Sequence, residues 1–126
     1  NSRVKHREYW RPFAGVMLKE YLHEYFEEAI DNPYMLYSQT VKEEKKSNLQ
    51  AIVHEDNTCR IQTIEEGKLA TLLKHYNQLS GIPVLLNTSF NDSGKPIIES
   101  PEDAIEAFLN MSIDYLVIGN IVVRRK

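Results

Sequence analysis

The amino-acid sequence predicts a mixed α/β fold, a twisted sheet with helices packed on it, and three observations carry that expectation. Residues 83–86 (Pro-Val-Leu-Leu) form an apolar run that turns polar without a charge at Asn87-Thr88-Ser89-Phe90-Asn91, the pattern of a buried strand opening at one end. Leu69, Leu72, Leu73, Tyr76 and Leu79 recur at helical spacing and are followed by Gly81, a residue suited to ending a helix. Ser100-Pro101-Glu102-Asp103 is a helix start, with a serine cap, a first-turn proline and acids at the positive end of the dipole. At 126 residues the chain fits one domain with one core.

The remaining elements follow in order. Residues 1–13 are basic and aromatic, with Arg3, Lys5, Arg7 and Arg11 interleaved with Tyr9, Trp10 and Phe13. Trp10 and Phe13, flanking a proline, are expected in the core. Over residues 16–30 the positions Val16, Leu18, Tyr21, Leu22, Tyr25, Phe26 and Ala29 fall near helical spacing, and Asp31-Asn32-Pro33 would end that helix. Residues 34–40 read as a strand, and residues 41–48, rich in lysine and glutamate, as a solvated loop. Residues 51–54 and 60–64 read as short strands around a turn at Glu55-Asp56-Asn57. After the helices over 69–79 and from 101, with Ala104, Ile105, Ala107, Phe108 and Met111 on the buried side, residues 114–118 and 121–123 form two strands broken at Gly119-Asn120.

Composition bounds the function. The 42% hydrophobic and 26% charged fractions are those of an ordinary globular protein, and no apolar run approaches the ~20 residues of a membrane span. One cysteine, Cys59, leaves no internal disulfide and makes a reducing cytoplasm the expected compartment. A net charge of −3 argues against a dedicated nucleic-acid binder. The opening Asn1 and the motif-like residues just after it suggest a portion of a longer chain.

Three polar groups carry the chemistry. Lys5 and Arg7 are two residues apart, so an extended segment would project both cations one way, with Arg11 nearby; an ammonium and a guanidinium on one face suit phosphate oxygens. Arg60 and Gln62 have the same spacing on a strand. In the run after Leu86, alternation would set Asn87, Ser89 and Asn91 on one face, a neutral hydrogen-bonding row. There is no phosphate-loop or dinucleotide fingerprint, and His6, His23, His54 and His75 show no metal-ligand spacing, so no metal site is expected. Cys59 beside Arg60 could have a lowered thiol pKa, and His54 could be a ligand-facing turn residue or a structural one.

Taken together, Lys5-x-Arg7-x-x-Trp10-Arg11-Pro12-Phe13, Pro33-Tyr34-Met35, His54-x-Asp56-x-Thr58-x-Arg60-x-Gln62-Thr63 and Gly81-x-Pro83-Val84-Leu85-Leu86-Asn87-Thr88-Ser89-Phe90-Asn91 occur in one order. Gly94-x-Pro96-Ile97, Pro101-Glu102-Asp103-Ala104 and Asp114-x-Leu116-x-x-Gly119 complete the set. The combination resembles the C-terminal domain of the NodU/CmcH O-carbamoyltransferases over residues 1–126. That resemblance implies a single YrdC-like domain in which Lys5/Arg7 and Ser89/Asn91 grip a nucleotide, with Arg60 joining Lys5, Arg7 and Ser89 as catalytic and Arg11, Gln62, Asn87, Thr88 and Asn91 binding nucleotide or carbamoyl groups. It implies ATP and carbamoyl phosphate as substrates, Mg²⁺ brought by the nucleotide, and carbamoyl-adenylate as product. A separate N-terminal domain of actin-like ATPase fold, holding an iron, would then carbamoylate an acceptor hydroxyl. Gly15, where the family usually has proline, and Cys59, where it usually has a small residue, depart from the pattern. The competing expectations are an RNA-binding or tRNA-modification module and a non-catalytic docking domain.

Overall fold

The computed structural model describes residues 1–125, and the α/β class expected from the sequence is the one observed. Backbone contacts gather into two compact units, one of residues 12–88 and one of residues 1–11 with 89–125.

In the first unit, β1 (Ala14–Leu18), β2 (Ser38–Thr40), β3 (Thr58–Ile64) and β4 (Val84–Asn87) form one sheet in the order β2-β3-β1-β4. β1 runs parallel to β3 and antiparallel to β4, while β2 pairs antiparallel with β3. All five residues of β1 are buried, which explains its uninterrupted apolar sequence: a central strand is covered on both faces. The helix expected over residues 16–30 is therefore corrected. Its first three residues belong to β1, and only a 3₁₀ turn (Lys19–Tyr21) and the single turn α1 (Leu22–Tyr25) are helical. Paired strands on both sides of Val16 and Met17 outweigh the helical spacing of the apolar side chains.

Two apolar clusters lie in this unit. Met17, Tyr25, Phe26, Val41, Leu49, Ile52, Cys59 and Ile61 form the larger. Val16 and Leu18 meet Ala70 and Leu73 of α2 (Lys68–Ser80) in the smaller. Gly15 is matched to this packing, because an added Cβ would lie 2.6 Å from Ile61 Cδ1 and 2.7 Å from Ile52 Cδ1. α2 ends as expected at Gly81, whose φ of 72° is left-handed. The side it buries differs from the expectation: Ala70 and Leu73 face the sheet, whereas Leu69, Leu72, Tyr76 and Leu79 are exposed.

Other connections also depart from the sequence reading. The strand expected over 34–40 is confined to β2, residues 51–54 form a turn, and residues 43–48 wind into a 3₁₀ helix. Buried polar side chains set the path before β2. Asn32 donates through Nδ2 to Tyr37 O at 2.8 Å and accepts from Leu36 N at 2.7 Å. Gln39 exchanges two hydrogen bonds with the backbone of Ile30, at 2.6 and 2.9 Å. These bonds satisfy backbone groups that a ladder would otherwise take, so the strand begins only at Ser38.

In the second unit, α3 (Pro101–Asn110) is capped by Ser100 Oγ, which accepts from Asp103 N at 3.1 Å. β5 (Tyr115–Ile118) and β6 (Ile121–Arg124) form the expected antiparallel hairpin. Ala104, Phe108 and Leu116 make its buried cluster, with Phe90, Ile98, Ile113 and Ile118 packed against them. The single core expected from length is thus three clusters, because a two-faced sheet and a helix-covered hairpin each bury their own. Ile105, expected inside, is exposed. Trp10, expected in the core, is 68% exposed, while Phe13 packs against the larger cluster. Among the described residues no helix is long and apolar enough to cross a membrane.

Asn32→Ala should destabilise the protein by about 1–3 kcal/mol, because it strands the Leu36 N–H and the Tyr37 carbonyl. Urea unfolding tests this, and an unchanged midpoint would show that the Asn32 bonds do not hold this connection.

Candidate functional site

In the second unit, the N-terminal segment is a set of turns rather than the extended segment expected. Asn1 O accepts from Lys5 N at 3.1 Å and Arg7 N at 3.4 Å, and His6 has a φ of 47°. Lys5 and Arg7 therefore do not project side by side. Lys5 is buried, and its Nζ donates to Ser89 O at 2.7 Å, Asn91 O at 2.5 Å and Asn91 Oδ1 at 3.0 Å. An ammonium has three donors, so these three acceptors fill it. Burial, then the neighbouring Arg7 charge, pulls the Lys5 pKa below the ordinary lysine value, with Asp92 acting against them. Arg7 is half-buried, and its Nε donates to Asn1 Oδ1 at 2.7 Å.

The segment that receives Lys5 is a loop. β4 ends at Asn87, so the single-faced row expected of Asn87, Ser89 and Asn91 is broken after its first member. Phe90 supplies the physical reason, since it turns into the cluster around Phe108 and Leu116. Beyond it, Ser89 Oγ donates to Asn91 Oδ1 at 2.5 Å, and Asn91 Nδ2 donates to Lys95 O at 2.8 Å. Asn91 thus links the ammonium, the Ser89 hydroxyl and the Gly94 turn. The expected Lys-x-Arg and Ser-x-Asn pairs are brought together here, through Lys5, although by burial of the lysine rather than by two facing polar rows.

Sequence reasoning missed His6 and Asp92. His6 Nδ1 lies 2.9 Å from Asp92 Oδ1, one residue from each half of the lysine contact. Asp92 also accepts from Ser93 N at 2.7 Å. The Ser93 N–H first, and His6 second, hold the Asp92 carboxyl below its ordinary pKa. The available signal was the adjacency of His6 to Lys5 and of Asp92 to Asn91. A cavity of about 170 Å³ opens beside this loop, lined by Asp92, Lys95, Ile97, Asp103, Glu106 and Met111 among others, and Lys5, Arg7, Ser89 and Asn91 are not in its wall. Arg11 is exposed, with its Nε 3.8 Å from Glu8 Oε2.

In the first unit, the alternation of β3 places Arg60 and Gln62 on one face, as expected, with Cys59, Ile61 and Thr63 buried on the other. Asn87 Nδ2 donates to Gln62 Oε1 at 2.8 Å, and Gln62 Nε2 donates to Pro33 O at 3.1 Å. Arg60 and Thr88 are exposed. Cys59 is fully buried, and burial pushes its thiol up to about 12, which corrects the expectation of a lowered value beside Arg60. His54 sits in the turn before β3, with its N–H donating to Thr58 O at 2.8 Å. Among the described residues no three His, Cys, Asp or Glu side chains are placed to hold a metal.

Comparison with known proteins places these residues in context. A family model described as "Carbamoyltransferase C-terminus" matches residues 1–125. Nodulation protein NolO of Bradyrhizobium diazoefficiens is 38% identical, across 100% of this chain and 24% of its own length. Nodulation protein NolNO of Sinorhizobium fredii is 36% identical, across 100% of this chain and 19% of its own length. Nodulation protein U of Rhizobium tropici is also 36% identical, across 83% of this chain and 19% of its own length. The chain spans about a fifth to a quarter of the curated relatives it matches.

The depressed Asp92 pKa fixes the sign of a pH effect. Its contribution to stability is present above the unfolded-state value and disappears as pH falls through the lower folded value. Carboxyl NMR titration should find Asp92 titrating below an ordinary aspartate, and His6→Ala should move the midpoint part of the way back, the Ser93 bond remaining. An unmoved midpoint in His6→Ala would remove His6 from the site.

Proposed function

Since this chain belongs to the carbamoyltransferase C-terminus family, we propose that it is the nucleotide-binding part of an O-carbamoyltransferase and forms carbamoyl-adenylate from ATP and carbamoyl phosphate. The observation that carries the reading is the meeting of Lys5 with Ser89 and Asn91 at 2.5–3.0 Å, which joins the two motif pairs in one place. Atom balance divides the chemistry. Carbamoyl phosphate and water give carbamate and phosphate; a carbamate oxygen then attacks the α-phosphorus of ATP, and pyrophosphate leaves with the bridging electron pair.

No protein nucleophile is required by that sequence. The need is positioned positive charge against a transition state that spreads negative charge over phosphate oxygens. Lys5 supplies its charge from behind the loop, because its hydrogen bonds are already given to Ser89 and Asn91. Arg7 supplies the planar fork for phosphate oxygens. The Ser89 hydroxyl and the Asn91 side chain orient neutral parts of the ligand. The carboxylates of Asp103 and Glu106 in the cavity wall disfavour polyphosphate there, which keeps the triphosphate toward Lys5 and Arg7. Mg²⁺ arrives on the nucleotide as part of the substrate. The acceptor hydroxyl and its transfer step belong, in this proposal, to the longer polypeptide in which relatives carry this segment.

Arg7→Ala should weaken ATP binding by about 1–3 kcal/mol, the range for charge-assisted hydrogen bonds, measured by titration calorimetry. The purified chain mixed with ATP, Mg²⁺ and carbamoyl phosphate should release pyrophosphate and phosphate in equal amounts. Wild-type affinity in Arg7→Ala, or pyrophosphate release without carbamoyl phosphate, would contradict the assignment.

A further inference from the structure

Beside the buried ammonium stands an imidazole with a carboxylate behind it. His6 follows Lys5 on the N-terminal turn and Asp92 follows Asn91 on the receiving loop, so the two contacts are neighbours along both segments. An ionised carboxylate only accepts hydrogen bonds. A neutral His6 therefore donates through Nδ1 to Asp92 Oδ1, at 2.9 Å, and its lone pair is on Nε2. Among the described residues Nε2 has no hydrogen-bond partner, and the His6 side chain is 45% exposed. Ser93 N donates to the same carboxylate oxygen at 2.7 Å, which anchors Asp92 to its own loop, so the carboxylate sets the orientation of the ring. The backbone is constrained at the same residue. His6 has a φ of 47°, a left-handed conformation that costs a residue with a Cβ and that gathers at functional sites. Asn1 O holds the turn on both sides of it, through Lys5 N and Arg7 N.

We propose that His6 is the general base that activates water against carbamoyl phosphate, with Asp92 as its orienting partner. The inference rests on the carbamoyl phosphate chemistry proposed for this site. Nε2 takes a proton from water as the water oxygen bonds to the carbamoyl carbon. The bond from that carbon to the bridging oxygen breaks, and phosphate leaves with the electron pair. Carbamic acid remains and ionises to carbamate, while Nε2 returns its proton to the phosphate. The surrounding charges suit both ends of the step. Asp92 stabilises the imidazolium that forms, and Lys5 and Arg7, on the same turn, favour the negative charge growing on the carbonyl and phosphate oxygens. Lys95, further along the loop, is the other cation acting on the Asp92 carboxylate. The base serves this step alone: carbamate, once formed, attacks the α-phosphorus without losing a proton.

Supplying carbamate directly bypasses the step and so isolates it. With ATP, Mg²⁺ and carbamoyl phosphate, His6→Gly should release pyrophosphate about a hundredfold more slowly than the wild-type chain, the scale of a general base. With ammonium carbamate in place of carbamoyl phosphate, most of that loss should disappear. Glycine takes a φ of 47° without strain, so the turn survives the substitution, and a cooperative melting curve checks this. Asp92→Asn keeps the shape of the orienting side chain and should show the same dependence on substrate. Equal losses with both substrates would make His6 a structural residue and overturn the proposal, as would a His6→Gly chain as active as wild type. A wild-type chain active with carbamate but not with carbamoyl phosphate would overturn this proposal alone. A wild-type chain that releases no pyrophosphate from ATP and carbamate would overturn the carbamoyl-adenylate reading itself, and this proposal with it.

Discussion

A buried ammonium must be given acceptors, and Lys5 is given three. Taking a charge from water costs several kcal/mol unless its donors are filled, and here the filling groups are two backbone carbonyls and one side-chain amide of residues 89–91. That requirement orders the loop. Ser89 and Asn91 cannot turn away without stranding the charge, and Asn91 extends the constraint to the Ser89 hydroxyl and to Lys95. The His6–Asp92 contact adds a second tie beside the first. Residues separated by more than eighty positions in the chain are thereby held at hydrogen-bonding distance.

The consequence for function is a division of labour between two cations that a spacing argument treats as equivalent. Lys5 is a positioning residue whose charge still acts on whatever approaches the loop. Burial first, and the Arg7 charge second, lower the Lys5 pKa. In the proposed reading such a site is prearranged for anionic ligands, because its cations are adjacent before a ligand arrives. The chain belongs to the carbamoyltransferase C-terminus family.

Local signals made α2, α3 and the β5–β6 hairpin legible, because a cap, a C-terminal glycine and a two-residue break act within a few positions. β1 was not legible. Its run Ala-Gly-Val-Met-Leu has no alternation, since both faces are covered, and without alternation a strand and a buried helix look alike. The strand expected from residue 34 fails for a different reason: the buried Asn32 amide captures the backbone at 36 and 37, a long-range consequence of burial rather than of propensity. The site was legible in its members and not in its manner. A lysine spaced two from an arginine says cation; only the fold says that the ammonium is buried, and only Phe90's turn into its cluster ends the row of Asn87, Ser89 and Asn91.

The central claim is that a nucleotide is received where Lys5 meets Ser89 and Asn91. Amide chemical shifts of the ¹⁵N-labelled chain, followed during titration with Mg²⁺-ATP, test it most directly. The account predicts saturable shifts concentrated at residues 5–7 and 89–92. Saturable shifts confined to other residues, or none at all, would contradict it.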